Sequence, residues 1–395
     1  MAKLTPTTSA TLKPRTRLIK AGRDHDHPSG VVDTPIYRGS TVLFDSYQQF
    51  KTNDRPFTYA THGTPTTRTL TTAWSELSGA FGTVLTPSGL AAVSVALMAA
   101  VGAGDHLLVT DSAYQPTRQL CDRLLRRMGV ETTYYDPEIG GAIETLFRPT
   151  TRAVLAESPG SQSFEVQDVP AIAAVAHARG ACLILDNTWA TPLFFPPHER
   201  GADIAIEAGT KYLSGHSDLL LGLTSANERY WPRLHATFEA LAIGAGPDDA
   251  YLGFRGLRTL ELRLREAERQ GLAMAHWLAG RPEVLKVLHP ALPEHPGHAI
   301  WQRDFSGSSG VFSIILRPVP ETALANMLDG LELFGLGYSW GGYLSLVTPF
   351  DCSRYRTATK WAPGGPALRL QIGLEDIEDL QADLDRGFAR LRGAE

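Results

Sequence analysis

Between about residue 60 and about residue 255, short apolar runs alternate with longer stretches whose apolar positions recur at helical spacing. Residues 106–110, 153–157 and 181–186 are apolar runs of strand length. Residues 88–101 are rich in Ala, Leu and Val and follow Thr86-Pro87-Ser88-Gly89, which predicts a buried helix with a serine near its start. Residues 116–128 and 169–179 predict helices ended by Gly129 and Gly180. A further apolar run at 203–208 opens into Gly209-Thr210-Lys211. Strands separated by helices need crossover connections, so the pattern predicts an α/β fold with a mostly parallel sheet. Ligands of such sheets bind at the carboxyl ends of the strands, and Asp186, Thr210 and Lys211 fall on that edge.

The pattern changes on either side of this span. Residues 1–60, rich in Thr, Pro, His and Asp, lack sustained periodicity and read as an extended arm whose natural support is a neighbouring subunit. From residue 257 the spacing of Leu257, Leu260, Leu264 and Ala267 predicts one long amphipathic helix over 257–278. Strands at 310–316, 343–347 and 368–372 and an amphipathic helix over 375–391 follow, which is the make-up of a smaller α+β domain. The expected division is therefore an arm (1–60), a large domain (61–256) and a small domain (257–395).

Charge narrows the partners. Lys+Arg 37 against Asp+Glu 42 gives a net charge of −5, which argues against nucleic acid or an anionic membrane as an obligatory partner. No apolar run is long enough to span a bilayer, and residues 1–10 are polar and Thr-rich without a signal-peptide apolar region, so a cytoplasmic protein is expected. The 3 cysteines are scattered without metal-ligand spacing and read as reduced packing residues; no metal is expected.

The chemistry concentrates where apolar runs end in polar residues. Cys182-Leu183-Ile184-Leu185-Asp186-Asn187-Thr188-Trp189 delivers an aspartate at its end, and the next run delivers Lys211. A lysine and an aspartate carried out of neighbouring strands suit pyridoxal phosphate (PLP). The amine forms a Schiff base with the cofactor aldehyde, and the carboxylate keeps the pyridine nitrogen protonated. Ser88, Gly89 and Leu90 open a helix, which offers a phosphate dianion backbone N–H groups, with Thr210 adding a hydroxyl; an ordinary N-capped helix has the same sequence. Tyr114, just after a strand, can stack on the pyridine face or pack on the sheet edge. Tyr59 is a loop aromatic whose phenol could reach a phosphate. Arg369 lies in the otherwise apolar strand Ala367-Leu368-Arg369-Leu370-Gln371-Ile372, where it is either salt-bridged in the core or clamps a ligand carboxylate; an amino-acid substrate favours the clamp.

With these residues in view, the whole chain resembles the Cys/Met-metabolism family of PLP enzymes. The resemblance is carried by residues 183–190, by Thr210-Lys211-Tyr212-Leu213-Ser214-Gly215-His216-Ser217-Asp218, by Gly337-Tyr338-Ser339-Trp340-Gly341-Gly342-Tyr343 and by residues 368–376. The Tyr338-Ser339-Trp340 segment and Glu157-Ser158-Pro159-Gly160-Ser161 are similar to the β-lyase branch. The resemblance implies an aminotransferase-like architecture (fold type I) and a homotetramer built of dimers with shared active sites. It also implies cleavage of cystathionine to homocysteine, pyruvate and ammonia in methionine biosynthesis. By the same resemblance Lys211 is the Schiff-base lysine and proton carrier, Asp186 faces the pyridine nitrogen, and Tyr114 stacks on the ring. Gly89 and Leu90 with Thr210 hold the phosphate, Arg369 binds the substrate carboxylate, and Tyr338, Ser339 and Trp340 shape the substrate side. Tyr59 would serve the neighbouring subunit. Two departures stand out: Thr61 occupies the place of an expected phosphate-binding arginine, leaving Arg68 or His62 to compensate, and Ala208 stands where relatives often carry serine. The alternatives are γ-chemistry within the same family and a PLP-binding regulatory protein without turnover.

Overall fold

In the computed structural model, which describes residues 12–22 and 30–393, two sheets organise the chain. The expectation for residues 1–10 lies outside the described residues. The larger sheet is built of β1 (Gly82–Thr86), β2 (His106–Thr110), β3 (Glu131–Tyr135), β4 (Thr151–Glu157), β5 (Cys182–Asp186), β6 (Ile204–Glu207) and β7 (Gly222–Ala226). Its strand order is β1-β7-β6-β5-β4-β2-β3, and β7 alone runs antiparallel to both its neighbours.

The apolar runs that mark these strands are continuous because both faces are buried. Leu108, Val154, Ala156, Leu183 and Leu185 join one core. The intervening Leu107, Val109, Ala153, Leu155, Ile184 and Ile206 join another, against the helix Gly89–Ala100. The α/β class with a mostly parallel sheet is what the sequence predicted.

The second sheet has the order β10-β11-β12-β9-β8, from β8 (Val284–Leu288), β9 (Val311–Leu316), β10 (Gly335–Leu336), β11 (Leu346–Phe350) and β12 (Ala367–Gln371). The helices Leu260–Ala279 and Ile377–Leu391 cover one face: Met274, Leu278, Leu380, Leu384 and Phe388 pack with Phe312, Ile314, Leu368 and Leu370. Successive residues of a strand point to opposite faces, so Arg369 is turned away from these helices.

Three elements differ from the sequence expectation. The helix expected over 257–278 is found as Leu260–Ala279, three residues late in its start, and a separate helix that was not expected, Pro247–Leu257, precedes it. The break between them occurs where Arg258 is tied elsewhere: its Nη1 donates to the carbonyls of Leu18 and Ala21 at 2.5 and 3.0 Å, while Arg263 Nη2 and the Thr259 amide donate to the Gly256 carbonyl at 2.8 and 3.1 Å. The strand expected at 343–347 begins later, at Leu346, because Gly341, with φ +81°, bends the preceding segment toward the lysine loop. A Cβ on Gly341 would stand 2.8 Å from the Tyr212 nitrogen. The helix expected over 116–128 starts as α at Gln115–Gln119 and widens into a π-helical stretch, Leu120–Leu125.

Part of the expected arm packs on its own chain. The helix Pro14–Lys20 buries Leu18 in the large core. Beyond residue 30 the only regular element before Ala60 among the described residues is the helix Tyr47–Thr52, and Val32, Leu43, Tyr47 and Phe50 are exposed. The cysteines Cys121, Cys182 and Cys352 are buried and free. Among the described residues no helix is long and apolar enough to cross a membrane.

Candidate active site

The carboxyl ends of β4, β5 and β6 open on a cleft of about 250 Å³ lined by Glu157, Asp186, Lys211, Trp340 and Arg369, among others. Lys211 follows β6 by a tight turn in which its amide donates to the Ala208 carbonyl at 2.9 Å. Its Nζ donates to Ser339 Oγ at 2.6 Å and lies 5.3 Å from the centre of the Trp340 indole. Burial, then the nearby Arg369 cation, lower the Lys211 amine to about 8, with Asp186 opposing. A lysine so placed is a usable base and nucleophile near neutral pH.

Ser339 joins the lysine to the arginine. Its hydroxyl accepts from Lys211, and its carbonyl accepts from Arg369 Nη2 at 2.8 Å. Ser339 itself has φ +77°, a left-handed backbone that is rare for a non-glycine residue and is stored strain at the cleft. Arg369 is 8% exposed, donates also to Thr348 Oγ1 at 3.0 Å, and keeps a buried Nε without a partner. Among the described residues no carboxylate pairs with it, and burial lowers its guanidinium to about 10. The core salt bridge considered for Arg369 is absent there, and a buried cation left with an idle donor suits an incoming carboxylate.

Asp186 ends β5, and its Oδ1 accepts from the amide and the hydroxyl of Thr188 at 3.0 and 2.6 Å. Burial raises its carboxyl, and the Thr188 bonds and Lys211 pull it back. Thr188 Oγ1 also accepts from the Ala208 amide at 2.9 Å, so one hydroxyl ties β5 to the start of the lysine turn. At the far wall Ser88 caps the helix Gly89–Ala100, accepting from the Ala91 amide at 3.2 Å. Gly89 and Leu90, the first residues of that helix, line the cleft. A Cβ on Gly89 would meet the Ala208 Cβ at 2.7 Å, so the small residues at both positions let the helix start approach the lysine turn. Thr210 lines the cleft as well; its hydroxyl accepts from the Leu221 amide at 3.0 Å and donates to the Leu221 carbonyl at 3.2 Å. Tyr114 is at the rim, its amide held by Glu157 Oε2 at 2.7 Å.

The structure thus brings together Ser88, Gly89, Leu90, Tyr114, Asp186, Thr210, Lys211, Trp340 and Arg369 around one cleft, with Ser339 bonded to the lysine. Tyr338 is 87% exposed and does not line it. Tyr59 is outside the cleft of its own chain, while Thr61 and Arg68 line a separate cavity between residues 56 and 246. The Arg68 guanidinium stacks 4.5 Å over the Phe57 ring, and His62 Nδ1 is 3.1 Å from Thr58 Oγ1. Sequence reasoning passed over Thr188 as an orienting group, although the spacing of Asp186 and Thr188 is the turn pattern in which a carboxylate bonds two residues on. It also assigned no role to Glu157.

These residues fit PLP. The helix start and Thr210 suit its phosphate, Asp186 its ring nitrogen and Lys211 its aldehyde, and the idle Arg369 donor is left for an amino-acid carboxylate.

Known proteins agree with that fit. The Cys/Met metabolism PLP-dependent enzyme family matches residues 15–389. The chain is 43% identical to a cystathionine beta-lyase of Escherichia coli, over 95% of this chain and 98% of that one. It is 52% identical to a protein of Rhizobium johnstonii provisionally named a cystathionine beta-lyase, with 95% of each chain covered. Among solved structures, a cystathionine gamma synthase from Xanthomonas oryzae pv. oryzae superposes with a TM-score of 0.90 at 31% identity, covering 97% of this chain and 100% of that one. The chain belongs to the Cys/Met metabolism PLP-dependent enzymes, and pyridoxal phosphate is its cofactor.

Proposed function

We propose that this enzyme is a carbon–sulfur β-lyase that cleaves cystathionine, and related cysteine S-conjugates, to the thiol, pyruvate and ammonia. The observation that carries the reading is the pairing of a deprotonatable Lys211 with an unpaired, buried Arg369 through one residue, Ser339. The named relatives support the β-position: the cystathionine beta-lyases of Escherichia coli and Salmonella typhimurium are 43% and 42% identical, against 35% for a cystathionine gamma-synthase of Mycobacterium bovis.

When bound, PLP supplies an electron sink for the bond to the substrate α-carbon. The chain's residues do the rest. Gly89, Leu90, Ser88 and Thr210 would hold the phosphate, and Asp186, oriented by Thr188, would meet the ring nitrogen. Tyr114 bounds the ring from the rim. Arg369 binds the substrate carboxylate through its idle donor and so orients the substrate in the cleft. Lys211, released to Ser339, removes the α-proton in its neutral form, which its depressed basicity makes available near pH 8. The substrate loses its α-proton and its β-thiol, and water completes release of pyruvate and ammonia. With cystathionine the thiol is homocysteine, which places the reaction in methionine biosynthesis.

The exposed apolar side chains of residues 31–50 and the position of Tyr59 outside its own cleft support a homo-oligomer in which Tyr59 serves a neighbouring subunit. A tetramer of two such dimers in the cytoplasm is the assembly we propose, with Trp340 on the substrate side. Incubation of the purified enzyme with cystathionine is expected to yield pyruvate and homocysteine. Production of 2-oxobutyrate and cysteine would assign γ-cleavage instead, and no turnover of any β-substituted amino acid would leave a binding protein.

A further inference from the structure

The ends of β4 and β5 hold two acidic side chains side by side. Glu157 and Asp186 are partners in the parallel register of these strands, and both line the cleft. Residues paired across parallel strands point to the same face, so the two carboxyl groups share one environment. They are unequally served. Asp186 accepts two hydrogen bonds from Thr188, at 3.0 and 2.6 Å, whereas Glu157 accepts one, from the Tyr114 amide at 2.7 Å. Two neighbouring carboxyls out of bulk water do not both ionise readily, and the one with more donors keeps the charge. Burial first, then the Asp186 charge, raise Glu157 well above the usual carboxylate range, against the pull of the Tyr114 N–H. The other titratable groups that act on this pair are Tyr114, Lys211, Glu207 and Tyr355, and Arg369 faces Tyr114 and Lys211 in turn.

The one bond the Glu157 carboxyl group makes falls on a sensitive atom. Tyr114 precedes the short helix Gln115–Gln119, with φ −47° and ψ 127° and no side-chain cap to hold the turn. One residue-pair away, the Ser161 amide donates to the Ser112 carbonyl at 2.8 Å, and a Cβ on Gly160 would overlap Ser112, so the loop after β4 lies directly on this turn. Glu157 thus fixes the peptide from which the Tyr114 side chain projects, while the neighbouring Ser112 is fixed by the same loop. Without that acceptor the N–H of Tyr114, a residue 47% exposed, would turn to solvent, and the ring would be free to swing with the turn.

We infer that Glu157 is a positioning residue of the active site: it holds the Tyr114 peptide, and with it the ring at the cleft, and leaves the negative charge of the carboxyl pair to Asp186. The inference rests on the β-lyase reading of this cleft but is tested separately from it. The wild-type holoenzyme, by its visible absorbance and by pyruvate release from cystathionine, tests the reading alone. Glu157→Gln keeps an acceptor oxygen and adds no charge. In this variant the pH midpoint of the cofactor absorbance is expected to move by less than about half a unit, with visible circular dichroism unchanged and kcat/KM within about threefold. Glu157→Leu keeps the volume and removes the acceptor. It is expected to alter the visible circular dichroism of the bound cofactor and to lower kcat/KM by about 10–100-fold, the scale of a small misplacement at a reacting centre. A larger shift of the midpoint in Glu157→Gln would mean that Glu157 carries charge and would overturn the inference. So would a Glu157→Leu enzyme with wild-type circular dichroism and kcat/KM, since a residue that only stabilises the fold changes the melting temperature and leaves both untouched. Should Glu157→Leu fail to fold, Glu157→Met, which also lacks a carboxyl acceptor, takes its place with the same two readouts and the same expected and contrary results.

Discussion

The strand ends and the arm segment around Tyr59 are built to different degrees within one chain. At the strand ends, Lys211, Ser339, Arg369 and Thr348 form a continuous line of hydrogen bonds that joins the loop after β6 to the second sheet. Asp186, Thr188 and Ala208 form another beside it. Around Tyr59 the bonds are local: His62 with Thr58, the Ala60 amide with the Ser40 carbonyl, and a single bridge between Thr41 and Tyr59. Leu43 and Tyr47, earlier in the same arm, are both 79% exposed. The difference separates two tasks. Proton transfer and carboxylate recognition need groups fixed to a fraction of an ångström, and here one chain supplies them. The arm offers apolar surface and a phenol that its own chain leaves exposed, the features on which the proposed assembly draws.

If this division is right, damage at the strand ends is chemical and damage in the arm is a matter of assembly. The largest effect is expected from Lys211→Ala, which removes both the attachment point and the base; pyruvate release from cystathionine should fall by at least about 10⁴-fold while the melting temperature changes little. Arg369→Ala comes next. Loss of a buried carboxylate partner should lower kcat/KM by about 10²–10³-fold, mostly through KM, and Arg369→Lys should recover only part of it because a point charge does not replace the planar fork.

The third prediction concerns pH. In the cofactor-free enzyme Lys211 is lowered to about 8, so the neutral amine is the minority below that pH and the majority above it. The rate of reconstitution with added PLP, followed by absorbance, should rise about tenfold per pH unit well below the midpoint and level off above about 8. A rate that climbs on to pH 10 would mean an unperturbed lysine. The smallest effect is expected from Tyr59→Phe in the arm: weaker retention of PLP by about 10-fold or less, with kcat of the saturated enzyme unchanged, as judged by cofactor titration.

Legibility from sequence follows the same line. Asp186, Lys211 and Arg369 stood out because each is a polar residue at the end or in the middle of an apolar run, and burial of a charge requires a reason. Ser88 and Gly89 were readable as a helix start because that pattern is written in consecutive residues. Glu157 was not, since its partner Tyr114 is 43 residues away and only the register of β4 against its neighbours brings them together. The break at residues 258–259 was hidden for a related reason: the leucine spacing runs through it unbroken, and the ties that end the first helix come from Arg258 reaching back to Leu18 and Ala21. Residues 343–345 have strand-like composition, but the demand of Gly341 for close approach to the lysine turn overrides it, with Ser345 held instead by Glu375. Tyr338 belongs to the same segment as Ser339 and Trp340, and its exposure was set by the left-handed turn at Ser339, which no periodicity signals.

The account turns on one covalent attachment, and borohydride reduction of the holoenzyme followed by peptide mass mapping tests it directly. A pyridoxyl group is expected on the peptide containing Lys211 and to be absent from the Lys211→Ala enzyme. Stable labelling of another lysine in the native enzyme, or none at all, would contradict the assignment.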